Sequence, residues 1–203
     1  MNLEETILSF LKKDCKELFG TEEGEALYKR VQAKFVELLA ENVSDNPILQ
    51  EHFQRKLLPP LAYYLVLREH GFGEEPALTY VKKETHKAAA VKQEEMRKMA
   101  QLPFAYTIYR MGVKKHMKKN FPPEGWETRW VRCNGKEIHF DLCSCIYWET
   151  TQKYHCPELC TVYCENDQIS FSGLLPKIRF ERSGTLGEGA SCCDFHFFKN
   201  ASR

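Results

Sequence analysis

The residues best equipped for chemistry crowd the last third of the sequence. Between Arg179 and Phe197 the chain reads as strand, glycine-rich turn, strand, with Gly184, Gly187 and Gly189 in the turn. Strand side chains alternate in direction, so Ile178, Phe180 and Arg182 share a face before the turn. After it, Cys193, Phe195 and Phe197 share a face that suits a core, and Cys192, Asp194 and His196 share the other. That second face sets a thiol, a carboxylate and an imidazole in a row. Asp194 and His196 could act as a pair for proton transfer, or stand on a solvated face. Arg182 ends an apolar strand beside the turn. It is placed to grip a carboxylate through two hydrogen bonds, or to close a salt bridge with Glu181, Glu188 or Asp194.

Eight of the nine cysteines fall from Cys133 onward. Cys156, Cys160 and Cys164 recur at intervals of four and would lie along one helical stripe. Cys143 and Cys145 form a second group, and Cys192 and Cys193 a third. A structural zinc site usually shows paired ligands two to four residues apart, and no C-x-x-C occurs, so no metal ligand set and no cofactor are assigned. Catalysis by a thiol needs the thiolate, hence a base or a positive charge nearby. His155 adjoins Cys156 and His196 lies near Cys192. The plainer reading is that each cysteine is a small buried apolar side chain.

The elements that would position these residues follow from periodicity. Leu3, Ile7, Leu11, Cys15 and Leu18 predict a helix over 3–19. Gly20 stops it and Thr21 caps the next, whose stripe is Leu27, Val31, Phe35 and Leu38. Asn46-Pro47 starts another, broken or restarted at Pro59-Pro60 and stopped at Gly71. A long helix runs from Glu74 to about Ala100, with Leu78, Val81, Ala88, Met96 and Met99 as its buried positions, and one more from Phe104 to Met117. At Pro122-Pro123 the period changes from helical to two. Trp126–Cys133, Asn134-Gly135 and Lys136–Leu142 predict a hairpin with a two-residue turn, pairing Val131 with Ile138, Trp130 with His139 and Arg132 with Glu137. Helices are expected over 143–154 and from Pro157 to about Asp167. The fold class is α+β: N-terminal helices packed with an antiparallel sheet of about four strands and two inserted helices. Residues 1–121 are a helical region and 122–203 a cysteine-rich α+β region, expected to form one compact structural unit.

The 203 residues carry a net charge of +1, which gives no bulk attraction to nucleic acid or to an anionic membrane. The charge is uneven: 14 acids and 9 bases in 1–75, 3 and 11 in 76–119, 11 and 9 in 120–203. The run Lys114-Lys115-His116-Met117-Lys118-Lys119 is read as a solvated helix end, because no aromatic residues interleave with the lysines as they do in single-strand nucleic-acid binders. The acidic start Met1-Asn2-Leu3-Glu4-Glu5 differs from a secretion signal, and no apolar run is long enough to span a bilayer. The expectation is a cytoplasmic protein with free thiols, no nucleic-acid or membrane partner and an open oligomeric state.

Five short pieces resemble the L-2-amino-thiazoline-4-carboxylic acid hydrolase family: Cys145-Ile146-Tyr147, Pro157-Glu158-Leu159, Cys164-Glu165-Asn166-Asp167, Arg182-x-x-Thr185-Leu186 and Gly189-x-x-x-Cys193-Asp194-Phe195-x-Phe197. Their order and spacing cover 126–198; Leu102-Pro103-Phe104 and Gly125-Trp126 extend the likeness more loosely. The ending is also similar to the vinyl-4-reductase-type small-ligand domains. Some of those bind zinc through an acid and a cysteine upstream of the last cysteine, where Arg182 and Thr185 stand here. The resemblance implies hydrolytic opening of a cyclic amidine to N-carbamoyl-L-cysteine, or a non-catalytic small-molecule sensor. It points to Asp194, Cys193, Cys164 and Asp167 as catalytic candidates, and to Arg182, Thr185, His155 and His196 around the small-molecule substrate. Arg182, Asp194 and Cys164 are expected to share one cavity.

Overall fold

The computed structural model describes residues 1–200. Its helices are α1 (Leu11–Phe19), α2 (Thr21–Glu41), α3 (Pro47–His52), α4 (Leu58–Glu69), α5 (Glu74–Gln101), α6 (Ala105–Asn120), α7 (Ile146–Lys153) and α8 (Leu159–Ser172). Its strands are β1 (Thr128–Cys133), β2 (Glu137–Leu142), β3 (Ile178–Glu181) and β4 (Cys193–Lys199), antiparallel in the order β1-β2-β4-β3. This is an α+β fold. The chain divides into two compact units, Met1–Ala88 and the residues from Ala89 on, with the division inside α5. Helix gives way to strand between Asn120 and Thr128, where the periodicity changes.

In the first unit, Leu27, Val31, Phe35 and Leu38 make the buried stripe of α2. Gly24 lets α1 cross α2 closely: a Cβ there would lie 2.3 Å from the Cys15 carbonyl oxygen. The first helix starts later than its periodicity suggests. Leu3–Glu5 is a 3₁₀ turn, capped by the Asn2 side chain, and α1 begins only at Leu11. Thr21 is the first helical residue rather than the cap; Gly20, at φ 85°, occupies the cap position in a conformation that suits glycine. Asn46 caps α3 as expected, accepting from the Ile48 and Leu49 amides. A π-helical turn at Phe53–Leu57 then runs without a break into α4; Pro59 and Pro60, which have no N–H, follow it, and the Arg55 carbonyl accepts from the Ile7 amide. On α5, Leu78 and Val81 are buried, whereas Ala88, Met96 and Met99 are only half-buried; Glu84, Thr85, Ala89 and Ala100 take the interior positions instead.

In the second unit the sheet buries one face. Ile138, Phe140, Leu142, Ile178, Cys193, Phe195 and Phe197 are all buried. Phe140 stacks on Phe195 at 5.2 Å, and Phe171 of α8 meets Phe197 edge-on at 5.0 Å. Tyr109 of α6 reaches the same Phe197. Such pairs add about 0.5–1.5 kcal/mol each beyond area burial, which ties α6 and α8 to the central strand β4. The β1–β2 hairpin forms, but in a different register. Cys133 pairs with Ile138, Arg132 with His139 and Trp130 with Phe140, with an irregularity between Trp130 and Arg132. The Asn134 side chain accepts from the Lys136 and Glu137 amides, which widens the turn beyond two residues. The resulting offset is taken up at Val131, which is half-exposed. α7 starts at Ile146 rather than Cys143. α8 begins after Pro157 and runs to Ser172, past the expected end at Asp167.

Candidate functional site

Cys160 and Cys164 lie one turn apart on α8, on the face turned toward the end of β4 and the loop that precedes it. The loop reaches the helix because Gly187 has no Cβ: one built there would stand 3.1 Å from both Cβ and Sγ of Cys160. Thr185, 2% exposed, begins a 3₁₀ turn over Leu186–Glu188 and bonds Glu188 through its hydroxyl, at 2.8 Å from Oε2. The Leu186 amide donates to Cys193 Sγ at 3.2 Å. The Cys164 sulfur lies within hydrogen-bonding reach of the thiols of Cys160 and Cys193 and beside the Thr185 hydroxyl. Three sulfurs from two elements thus meet, and one of them is singled out to carry the charge.

Donation from Cys160, then from Cys193, holds the Cys164 thiol well below the usual range, against the opposing effect of burial; the Arg182 charge and the Thr185 hydroxyl add to it. Cys160 and Cys193 are pushed the other way, first by donating to Cys164 and then by burial. Burial likewise raises the neighbouring Cys145 thiol to about 11. The surroundings of Cys164 therefore favour its charged form over that of the other two thiols. All nine cysteines are free thiols.

Arg182 supplies the positive charge. Its side chain is 4% exposed and lies over the rings of Phe195 and Phe180, at 5.2 and 5.8 Å. It donates to Asp167 Oδ2 at 2.9 Å and to the Cys164 carbonyl at 2.7 Å. A charge this deep is tolerable only with such partners; removing one partner of a buried pair costs about 3–5 kcal/mol. Burial raises the Asp167 carboxyl to about 6, with Arg182 pulling it down and Cys164 pushing it up. Because 39% of the Asp167 side chain still meets solvent, we take the pair as ionised at neutral pH.

Cys164, Arg182, Thr161, Glu165, Gln168, Ser183 and Glu188 line a cleft of about 150 Å³. Drug-sized ligands occupy roughly 300–1,000 Å³, so this one suits a much smaller molecule. Arg182 also borders a wider, shallower depression together with Asp194 and His196. Arg182, Gln168 and Ser183 are common to both hollows, while Cys164 lines one and Asp194 the other.

The remaining candidates are placed as follows. Asp194 anchors the loop: it accepts from the Ser183 amide and hydroxyl and from the Gly184 amide, at 2.8–3.1 Å. Burial works against its charge, but those donors outweigh it and the carboxyl is lowered. His196 donates from Nε2 to Glu137 at 2.7 Å and stacks on His139 across the strands at 4.5 Å. His155 is exposed in the turn between α7 and α8, at φ 54°, and does not line the cleft. Among the residues that sequence reasoning left out of the site are Cys160, beside the Cys164 thiol, and Glu165 and Glu188 as acids of the cleft. Cys160 was visible in the four-residue stripe with Cys164; Glu188 was visible only as a possible partner for Arg182, because a turn between strands does not say what it folds against.

The chain belongs to the L-2-amino-thiazoline-4-carboxylic acid hydrolase family, whose model matches residues 50–197. No curated protein and no solved structure matches it.

Proposed function

We propose that this member of the family hydrolyses a small cyclic amidine such as L-2-amino-thiazoline-4-carboxylic acid, with Cys164 as nucleophile. The observation that carries the reading is a cysteine beside a buried guanidinium, opening on a cleft sized for a small ring. The Cys164 thiolate attacks the ring carbon that bears the amino group. The carbon–sulfur bond of the ring breaks, and the departing sulfur takes a proton, for which the fraction of Asp167 that still carries one near its raised value of about 6 is the candidate donor. Water then adds to the enzyme-bound carbon and Cys164 leaves as thiolate. The sum is substrate plus one water giving N-carbamoyl-L-cysteine. Glu165 and Glu188 supply negative charge for the amidinium. Arg182 has five N–H donors, and Asp167 and Cys164 use two, which leaves capacity for the substrate carboxylate. Thr185 and Cys193 keep the nucleophile charged, and Asp194 holds the loop that carries Thr185. His196, beside Asp194 at the wider depression, stands nearer the substrate's approach than the exposed His155.

The purified chain is expected to convert the thiazoline to a product with a free thiol, read by a thiol reagent and by mass. Cys164→Ser should lower kcat on the order of 10³-fold or more while still binding substrate. A serine variant that keeps most of the turnover would transfer the attack to water. One observation favours the sensor reading: Arg182 and Asp194 are already engaged by the protein's own groups, as in a site built to hold rather than react. Retention of the thiazoline by the wild-type chain without any product would establish that alternative.

A further inference from the structure

Cys164 lines a cleft open to solvent, and a second thiol, Cys193, faces it from β4. We propose that Cys164 and Cys193 form a peroxide-responsive pair, closing reversibly to a disulfide that fastens β4 to α8. That this bond silences turnover rests on the hydrolase reading above; that it forms does not.

The chemistry balances with a hydroperoxide as oxidant. The Cys164 thiolate attacks one peroxide oxygen, the O–O bond breaks, and hydroxide leaves and is protonated to water. Cys164 is then a sulfenic acid. Cys193 attacks that sulfur, its proton goes with the departing hydroxide as a second water, and the S–S bond forms. Two thiols and one hydrogen peroxide give one disulfide and two waters. The first step needs an accessible thiolate, and Cys164 is the cleft-lining member of the cluster. The second needs a thiol already in place, and Cys193 is buried against it with the Leu186 amide on its sulfur.

Cys160 touches Cys164 as well, yet the geometry points to Cys193 as its partner in the bond. Residues four apart on a helix have Cβ atoms about 5–6 Å apart. A disulfide needs about 3.5–4.5 Å. Joining Cys160 to Cys164 would therefore require α8 to deform, and both residues lie inside that helix. Cys193 comes from a different element and is under no such restriction. Gly187, packed on the Cys160 sulfur, further fixes Cys160 where it is. The role of Cys160 is to donate to Cys164 and keep it charged in the reduced state.

The test uses the full chain, reduced, desalted and treated with a small molar excess of hydrogen peroxide. The expected result is the loss of two hydrogens from the intact mass, a Cys164–Cys193 cross-linked peptide on digestion without reductant, and full reversal by a dithiol. Cys193→Ser should stop at the sulfenic acid, trapped by dimedone on Cys164. Cys160→Ser should still give the Cys164–Cys193 link. The proposal is overturned if wild-type Cys164 goes to sulfinic acid while Cys193 stays a free thiol, if the cross-link joins Cys160 to Cys164, or if peroxide leaves all three thiols unchanged. The wild-type peptide map decides the matter even where a variant does not fold. A link that forms in a chain with no thiazoline turnover would sink the hydrolase reading and leave the redox pair standing. Turnover that survives peroxide with no link would do the reverse.

Discussion

Cys164 differs from its eight counterparts less in burial than in company. Cys156 is buried and Cys164 half-buried, and burial raises the Cys156 thiol to about 12. Cys164 has two thiols, a hydroxyl and a guanidinium to offset the same effect. The sequence marks the four-residue stripe but not which sulfur is charged, because Cys193 and Arg182 reach Cys164 only through the fold. The Arg182 contribution can be read without any substrate. Arg182→Ala should shift the onset of Cys164 alkylation by iodoacetamide to higher pH, and Arg182→Lys should restore part of it, since lysine keeps the charge but lacks the planar fork. An unchanged alkylation profile in the alanine variant would remove Arg182 from the electrostatics of the site. Asp167 gives a second handle. Its carboxyl is raised to about 6, so it holds a proton below that pH and loses it as pH rises through that value. Cys164 is lowered, so its charged form is favoured across that range. If Asp167 gives that proton to the departing sulfur, kcat should fall on the alkaline side with an inflection near 6. Asp167→Asn should abolish that limb and cost about 10²-fold. A wild-type profile flat across this range would assign the proton to another donor.

At the scale of elements, much of the fold was legible: the α2 stripe, the Asn46 cap, the hairpin, the alternation that sends Phe195 and Phe197 inward. What was not legible shares a cause. A side chain that bonds its own backbone changes a turn without changing its residues. Asn134 does so, and moves the hairpin register from Val131–Ile138 to Cys133–Ile138. Asp194 looked like half of a catalytic pair because its strand neighbour is His196. Its carboxylate instead closes on the Ser183–Gly184 corner, a contact that alternation along one strand cannot reveal. The loop it anchors has a sharper requirement at Gly187. Adding one methyl there places a carbon 3.1 Å from Cys160, tighter than ordinary contact, and the helix on the other side has little room to give. Gly187→Ala should destabilise the chain by about 1–3 kcal/mol in denaturant melts and slow Cys164 alkylation, because the loop that carries Thr185 is pushed off α8. Full stability and an unaltered alkylation rate would show that the loop is free to shift.

For the whole molecule, the change of period at Pro122-Pro123 was visible in the sequence, whereas the division of the chain inside α5 was not: a helix that serves two units keeps one period throughout. No described helix is long and apolar enough to cross a membrane. The stability of the chain should nonetheless carry a pH signature from a place far from any motif. Glu84, on α5, has 2% of its side chain exposed; Lys87 reaches its Oε1 at 3.0 Å, and its Oε2 has no donor. Burial raises its carboxyl, Lys87 pulls it down, and Asp14, to which a protonated Glu84 can donate, pushes it up. Lys87 also bonds Asp14, so one cation serves two acids, and the arrangement is satisfied when Glu84 keeps its proton. The sign follows from linkage. A carboxyl raised on folding binds more proton in the native state than in the unfolded one, so its contribution is fully present below the unfolded value of 4.5 and is lost as pH rises through the folded one. Glu84→Gln carries its donor at every pH. Its stability relative to the natural chain should therefore climb as pH rises above about 4.5, and chemical denaturation at a series of pH values measures that difference directly. The opposite trend, with the natural chain gaining on the variant toward neutral pH, would mean that Glu84 folds as a carboxylate and that Lys87 outweighs burial.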